Sequence, residues 1–119
     1  MGLQISIRHS SGVAIVDLQG RATIGRDNEN LHAQLRKVIE EGARKILLNL
    51  EGVTQVDSSS LSTIVRASVT LARQGGSMKF LKPRSNVKLV LDTLHLLNAI
   101  PSFENEAEAV ASFGRTATP

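Results

Sequence analysis

Cysteine, tryptophan and tyrosine are absent from this chain of 119 residues, and phenylalanine occurs three times. Without cysteine there is no disulfide, no thiolate nucleophile and no thiolate zinc site, which fits a reducing, cytoplasmic compartment. No apolar run approaches the ~18 residues a membrane span needs, and no charged-then-apolar leader with a cleavage site opens the chain. Direct nucleic-acid binding is disfavoured, because aromatic stacking residues are scarce and no nucleic-acid motif occurs. Catalytic motifs are missing as well. There is no Walker loop and no G-x-G-x-x-G, Ser59 lacks a G-x-S-x-G elbow, and His9, His32 and His95 stand at no metal-ligand spacing. We therefore expect neither an enzyme nor a bound metal or cofactor. What the chain does have is 41% apolar residues, enough for one packed domain at this length and hardly two.

The net charge of +3 conceals an uneven distribution. Residues 1–57 carry seven basic and seven acidic side chains. Residues 58–91 carry six basic ones, Arg66, Arg73, Lys79, Lys82, Arg84 and Lys88, and no acid. A basic segment of this kind offers a contact surface for an acidic partner or anionic lipid, with Arg66, Arg73 and Lys88 on or near two helices. A solvated rim is the simpler reading.

The elements follow from periodicity. Gln4 to Arg8 alternates polar and apolar, a turn signal occupies His9 to Gly12, and Val13 to Leu18 completes a hairpin. Gly20 to Arg26 reads as a connector. Leu31, Leu35, Val38 and Ile39 share one helical face, with Asp27 or Asn28 as cap and Gly42 as stop. Ile46 to Leu50 is nearly continuous apolar, as in a strand covered on both faces. A second helix is expected from Ser58 to Arg73, with Leu61, Ile64, Val65, Leu71 and Ala72 on its apolar stripe and Gly75-Gly76 at its end. Met78 to Leu81 is a short strand. Ser85 can cap a third helix with the stripe Val87, Val90, Leu91 and Leu94. Ala99-Ile100 reads as a last short strand. Asn105 followed by Glu108 opens a fourth helix with Val110 and Phe113 facing in. Residues 1–113 then form one domain and 114–119 a flexible tail. Strands joined through helices need crossovers, so the sheet is mixed, largely parallel after its opening hairpin. Met1 to Ser6 also fits the pattern for N-myristoylation, but the pattern is short and Gly2 leads straight into a strand.

Asp57-Ser58-Ser59-Ser60-Leu61 sits where a strand and short loop give way to the second helix. Asp57 is a natural N-cap, and serines suit a first turn. The same physics allows a switch. A first turn leaves N–H groups unpaired under the positive end of the macrodipole. A phosphate on Ser58 adds about −1.5 to −2 charges there without unfolding the helix. A partner packed on that helix start would meet an anion it was not shaped for, and a penalty of about 3 kcal/mol weakens binding some hundredfold.

Over residues 3–113 the chain resembles the STAS domain family, and within it the bacterial anti-sigma factor antagonists. Leu48 to Val53 looks like that family's strand and following loop, Val56 to Leu61 like its phosphorylation motif D-S-S/A-G-L, Gly75-Gly76 like its glycine pair, and Leu18-Gln19-Gly20 like its L-x-G. The resemblance implies a mixed α/β sheet of four to five strands with an opening hairpin and about four helices packed largely on one face. It implies that Ser58 is the regulated serine. The partner would be an anti-sigma factor with a histidine-kinase-like ATPase fold, acting as a Ser/Thr kinase on Ser58, and a PP2C-type phosphatase would reset the switch. Asp57, Ser58, Ser59, Ser60 and Leu61 would form the partner-binding surface, with Ser60 crowding the partner or offering it a second hydroxyl. The alternative is a non-phosphorylated STAS subunit of a stress-signalling scaffold or of a lipid-transport ATPase complex. Four residues depart from the family pattern: Ser60 and His95 where Gly is usual, and Ala22-Thr23 where Leu-Asp is typical.

Overall fold

The period-two pattern at the start of the chain folds as expected, into strands β1 (Gln4–Ser10) and β2 (Val13–Ala22) paired antiparallel. Ser11 and Gly12 join them with φ of 52° and 81°, the left-handed pair that a tight hairpin turn requires to match strand twist. This computed structural model describes residues 2–23 and 25–115. The Met1 end of the acylation pattern and residues 116–119 of the expected tail lie outside them. Helix α1 (Arg26–Glu40) leads to strand β3 (Lys45–Val56), helix α2 (Ser58–Arg73), strand β4 (Ser77–Leu81), helix α3 (Ser85–Thr93), a 3₁₀ turn at Leu96–Asn98, strand β5 (Ser102–Phe103) and helix α4 (Glu106–Arg115). The sheet order is β1-β2-β3-β4-β5, and every pairing after the hairpin is parallel.

Several boundaries differ from the sequence reading. β2 runs through the Gly20–Ala22 part of the expected connector, and β3 runs six residues past Leu50 to Val56. The two extensions pair with each other through register shifts between Asp17 and Gln19 and between Gly20 and Arg21. Such irregularities conceal a strand from a strict alternation test. Neither Asp27 nor Asn28 caps α1. Gly25 takes that position without a side-chain bond, and Asp27 Oδ1 instead accepts the N–H of Leu3 at 3.1 Å. The last strand is Ser102–Phe103 rather than Ala99-Ile100. Phe80 N and Lys82 N donate to the carbonyls of Pro101 and Phe103, and the 3₁₀ turn takes up the preceding residues. α4 continues through Gly114 to Arg115, past the expected domain end at 113.

The helices divide between the two faces of the sheet. α1, α2 and α3 bury Leu31, Leu35, Leu61, Ile64, Leu71, Val87 and Leu91 against Ala14, Val16, Leu18, Ile46, Leu48, Leu50 and Phe80. α4 alone covers the other face, where Ala109 and Phe113 meet Val13, Ile15, Leu47 and Leu81. β3 is thus covered on both faces, as its apolar run predicts. Two residues of the expected apolar stripes lie outside the core. Ala72 is exposed, and Leu94 lies just past the end of α3 at 52% exposure. At the end of α2, Gly75 has φ 83°. A Cβ on Gly76 would collide with the Arg44 carbonyl, so the glycine pair serves both a left-handed turn and a close backbone passage. Among the described residues, no helix is long and apolar enough to cross a membrane.

Candidate functional site: the start of the second helix

No loop intervenes between β3 and α2. A single residue, Asp57, makes the change of direction with extended backbone (φ −130°, ψ 178°), and its N–H donates to the Ala22 carbonyl at the end of β2. Asp57 is the N-cap. Its Oδ1 accepts the N–H of Ser60 at 3.0 Å and the hydroxyl of Ser59 at 2.7 Å. Ser60 returns the bond, its Oγ accepting from the Asp57 N–H at 3.2 Å and donating to the Asp57 carbonyl at 2.9 Å. This reciprocal box satisfies two groups that a helix start otherwise leaves open.

The five motif residues consequently separate into two kinds. Ser58, at the first helical position, is exposed, and among the described residues its side chain makes no hydrogen bond. Asp57 and Ser59 are half-buried and committed to the cap. Ser60 is 0% exposed and Leu61 4%. The expected surface role of Ser60 is therefore corrected: its hydroxyl points into the cap, where it neither crowds a partner nor offers a second acceptor. Leu61 likewise belongs to the core. The cap takes up the N–H of Ser60 but leaves those of Ser58 and Ser59 outside the helix ladder, under the positive end of the dipole. One exposed alcohol thus stands beside two backbone donors on a rigid base.

The surroundings are pinned by bonds that sequence reasoning missed. Thr63 Oγ1 lies 2.8 Å from Asn28 Oδ1 and 3.1 Å from the Ser59 carbonyl, tying α2 to α1 one turn from the site. Asn86 Nδ2 donates to the Thr54 carbonyl at 2.9 Å and fixes the start of α3 to the end of β3. Thr63 and Asn28, and Asn86 and Thr54, are more than thirty residues apart, and no local pattern signals these pairs.

The basic segment does not form one surface. Lys79 is 6% exposed. Its Nζ donates to Ser112 Oγ at 2.8 Å and lies 4.6 Å from the ring centroid of Phe113. Lys82 Nζ is 3.9 Å from Glu51, Lys88 Nζ is 4.0 Å from Glu104, and Arg84 Nε donates to the Glu51 carbonyl. The expected triad of Arg66, Arg73 and Lys88 therefore breaks up. Lys88 is on α3 and has its own acid, while Arg66 and Arg73 share a face of α2 seven residues apart. His95, where the family pattern has Gly, adopts φ 60°. That left-handed conformation is the physical reason for a glycine preference there.

A sequence model of the STAS domain matches residues 4–109. A curated relative from Bordetella bronchiseptica, provisionally named an anti-sigma factor antagonist (BtrV), is 24% identical over 98% of this chain and 99% of its own length. The crystal structure of a protein from Thermotoga maritima, provisionally titled an anti-sigma factor antagonist, superposes with a TM-score of 0.81 at 25% identity, covering 93% of this chain and 95% of that one. The Bacillus cell fate determinant SpoIIAA, solved in its phosphorylated form, superposes at 0.73 with 20% identity, covering 92% and 98%. With the family match spanning the whole sheet, the first three helices and the start of the fourth, this chain belongs to the STAS domain family.

Proposed function

We propose that this protein is an anti-sigma factor antagonist that works as a reversible binding switch, with Ser58 as the switched residue. The observation that carries the reading is the division within the motif: the cap is complete without Ser58, so its hydroxyl can be modified while α2 keeps its start. The names of the relatives and the phosphorylated state of the Bacillus neighbour support the same reading.

In this account the unmodified helix start docks on an anti-sigma factor and thereby frees a sigma factor. The partner, a Ser/Thr kinase with a histidine-kinase-like ATPase fold, transfers the γ-phosphoryl of ATP to Ser58 Oγ. ADP leaves, and the hydroxyl proton passes to a base of the partner or to solvent. The phosphate oxygens rest near the N–H groups of Ser58 and Ser59, which offset part of their charge. Asp57 sits alongside with its own negative charge, so the surface shown to the partner becomes strongly anionic and the complex dissociates. Hydrolysis by a PP2C-type phosphatase restores the alcohol. Asp57, Ser59 and Ser60 hold the hydroxyl in place and take no part in the transfer.

The test is incubation of the protein with ATP and the ATPase-type kinase encoded in the same host, followed by peptide mass spectrometry and binding measurements. Phosphate should appear on Ser58 alone. Ser58→Ala should bind without release, and Ser58→Glu should lose about a hundredfold in affinity. If both variants bind as the parent does, Ser58 is no switch, and the non-phosphorylated subunit of a scaffold or transport ATPase becomes the better account.

A further inference from the structure

The C-terminal halves of α1 and α2 flank a groove of about 320 Å³. Its floor is Leu35, Ile39 and Ala67, and its walls include His32, Arg36, Arg66 and Thr70. The Thr63–Asn28 contact holds the two helices together at the N-terminal end, so the groove opens away from Ser58. Its lining runs from His32 to Glu40 on one helix and from Arg66 to Gln74 on the other. Eight residue steps of helix span about 12 Å, room for apolar anchors at i, i+4 and i+7 of a partner helix.

Charge says which kind of helix fits. Arg36 and Glu40 neutralise one another at 3.0 Å. α2 has no acidic residue from Ser58 to Arg73. Arg66 reaches only Ser62 Oγ, at 3.4 Å, and forms no ion pair among the described residues. Arg73 stands one heptad further on and also complements the last turn of α2, so Arg66 is the charge that the groove itself leaves unanswered. A membrane is a poor occupant. The apolar surface is concave and lies between two helices, whereas a bilayer needs a protruding apolar face beside a cluster of several cations.

We propose that this groove is a docking site for an acidic amphipathic helix of a protein partner, seated on the half-buried Ala67 and the aliphatic parts of Arg36, Arg66 and Thr70 above a floor closed by Leu35 and Ile39, and held by Arg66. It lies along α2 beyond the Ser58 end, so it engages its ligand whatever the state of the serine and tethers a partner that the switch has released. Binding here does not rest on the switch reading.

The experiment selects from a library of randomised amphipathic fourteen-residue peptides on the full-length protein, then maps the selected peptides by amide chemical shifts. Acidic helical sequences should be enriched and should perturb residues 32–40 and 66–74. Arg66→Glu, with an unchanged melting temperature, should weaken them by about tenfold or more, and Arg66→Ala by less. Ser58→Glu should leave their affinity unaltered. This last variant separates the two proposals, because the switch can fail while groove binding persists, and the reverse. The proposal is overturned if enriched peptides carry no acidic bias, if the shifts map elsewhere, or if no peptide is enriched. It is also overturned if vesicles rich in phosphatidylglycerol, rather than peptides, bind in an Arg66-dependent way.

Discussion

The two faces of the sheet are held down by different forces. Beneath α1, α2 and α3 the buried side chains are almost wholly aliphatic, and polar bonds are confined to the ends of elements, at the Asp57–Ser60 cap and the Thr63–Asn28 link. Beneath α4 the apolar patch is small, and charge supplements it. Lys79 enters that layer with its ammonium on Ser112 and over aromatic rings. Near its edge Arg8 grips both Asp17 and Glu106, the closest contacts being 2.7 and 2.6 Å. The contrast teaches where the molecule can change. The three-helix face gives the switch serine a stiff base, whereas α4 is fastened by contacts that respond to pH and salt.

Adjacent residues of β3 provide the sharpest test. Leu48 faces the three helices and Leu47 faces α4, both fully buried. Leu48→Ala should cost about 3–5 kcal/mol in urea unfolding and Leu47→Ala about 2–3, since the smaller cluster can close over the gap more readily. Equal losses would break the distinction. Next in size, Ser112→Ala deprives the Lys79 ammonium of one acceptor and should cost about 1–3 kcal/mol. Lys79→Met, which removes charge and need together, should be neutral or stabilising in the same melts. On the opposite face, Asp57→Ala should cost about 1 kcal/mol through loss of the cap, while Ser58→Ala should stay within about 0.5 kcal/mol. A larger loss at Ser58 would show that the helix start depends on the residue meant to be free.

The smallest effect should come from acid. Hydrogen bonds from Arg8 hold the Glu106 carboxyl below its usual range. For Asp17, burial pushes upward, but Arg8 and Asn49 prevail and its pKa is also lowered. The same contacts raise the Arg8 guanidinium, which stays charged throughout. Groups lowered in the folded state contribute stability that is full above the unfolded carboxylate range of about 4. That stability fades as pH falls through their folded values. Hydrogen exchange should therefore show α4 losing protection first below about pH 4, before α2. Arg8→Met should reduce that difference in acid sensitivity. Uniform loss across both helices would mean that the ion network does not fasten α4.

Much of this was legible in the chain itself. Period-two alternation, continuous apolar runs, period-3.6 spacing and capping signatures together placed all four helices and four of the five strands, and the capping signature at Asp57 located the start of α2 at Ser58. What eluded it had physical causes. Register shifts obscured the ends of β2 and β3, and a two-residue strand after a 3₁₀ turn has no pattern to read. Ser60 looked like a surface hydroxyl because residue type does not tell which way a first-turn side chain points. Lys79 looked like one more surface cation, although its position in the apolar run Met78 to Leu81 hinted otherwise.

By itself the sequence determined the four helices, the first four strands, their order, and the helix start on which a regulated alcohol could stand, because propensity, capping and periodicity act over a few residues. The tertiary structure alone decided which serine is exposed, which cations are already paired, and that a groove lies between α1 and α2. Those outcomes depend on contacts such as Arg8 with Glu106 and Thr63 with Asn28, formed between residues far apart in the chain and fixed only when the sheet brings them together.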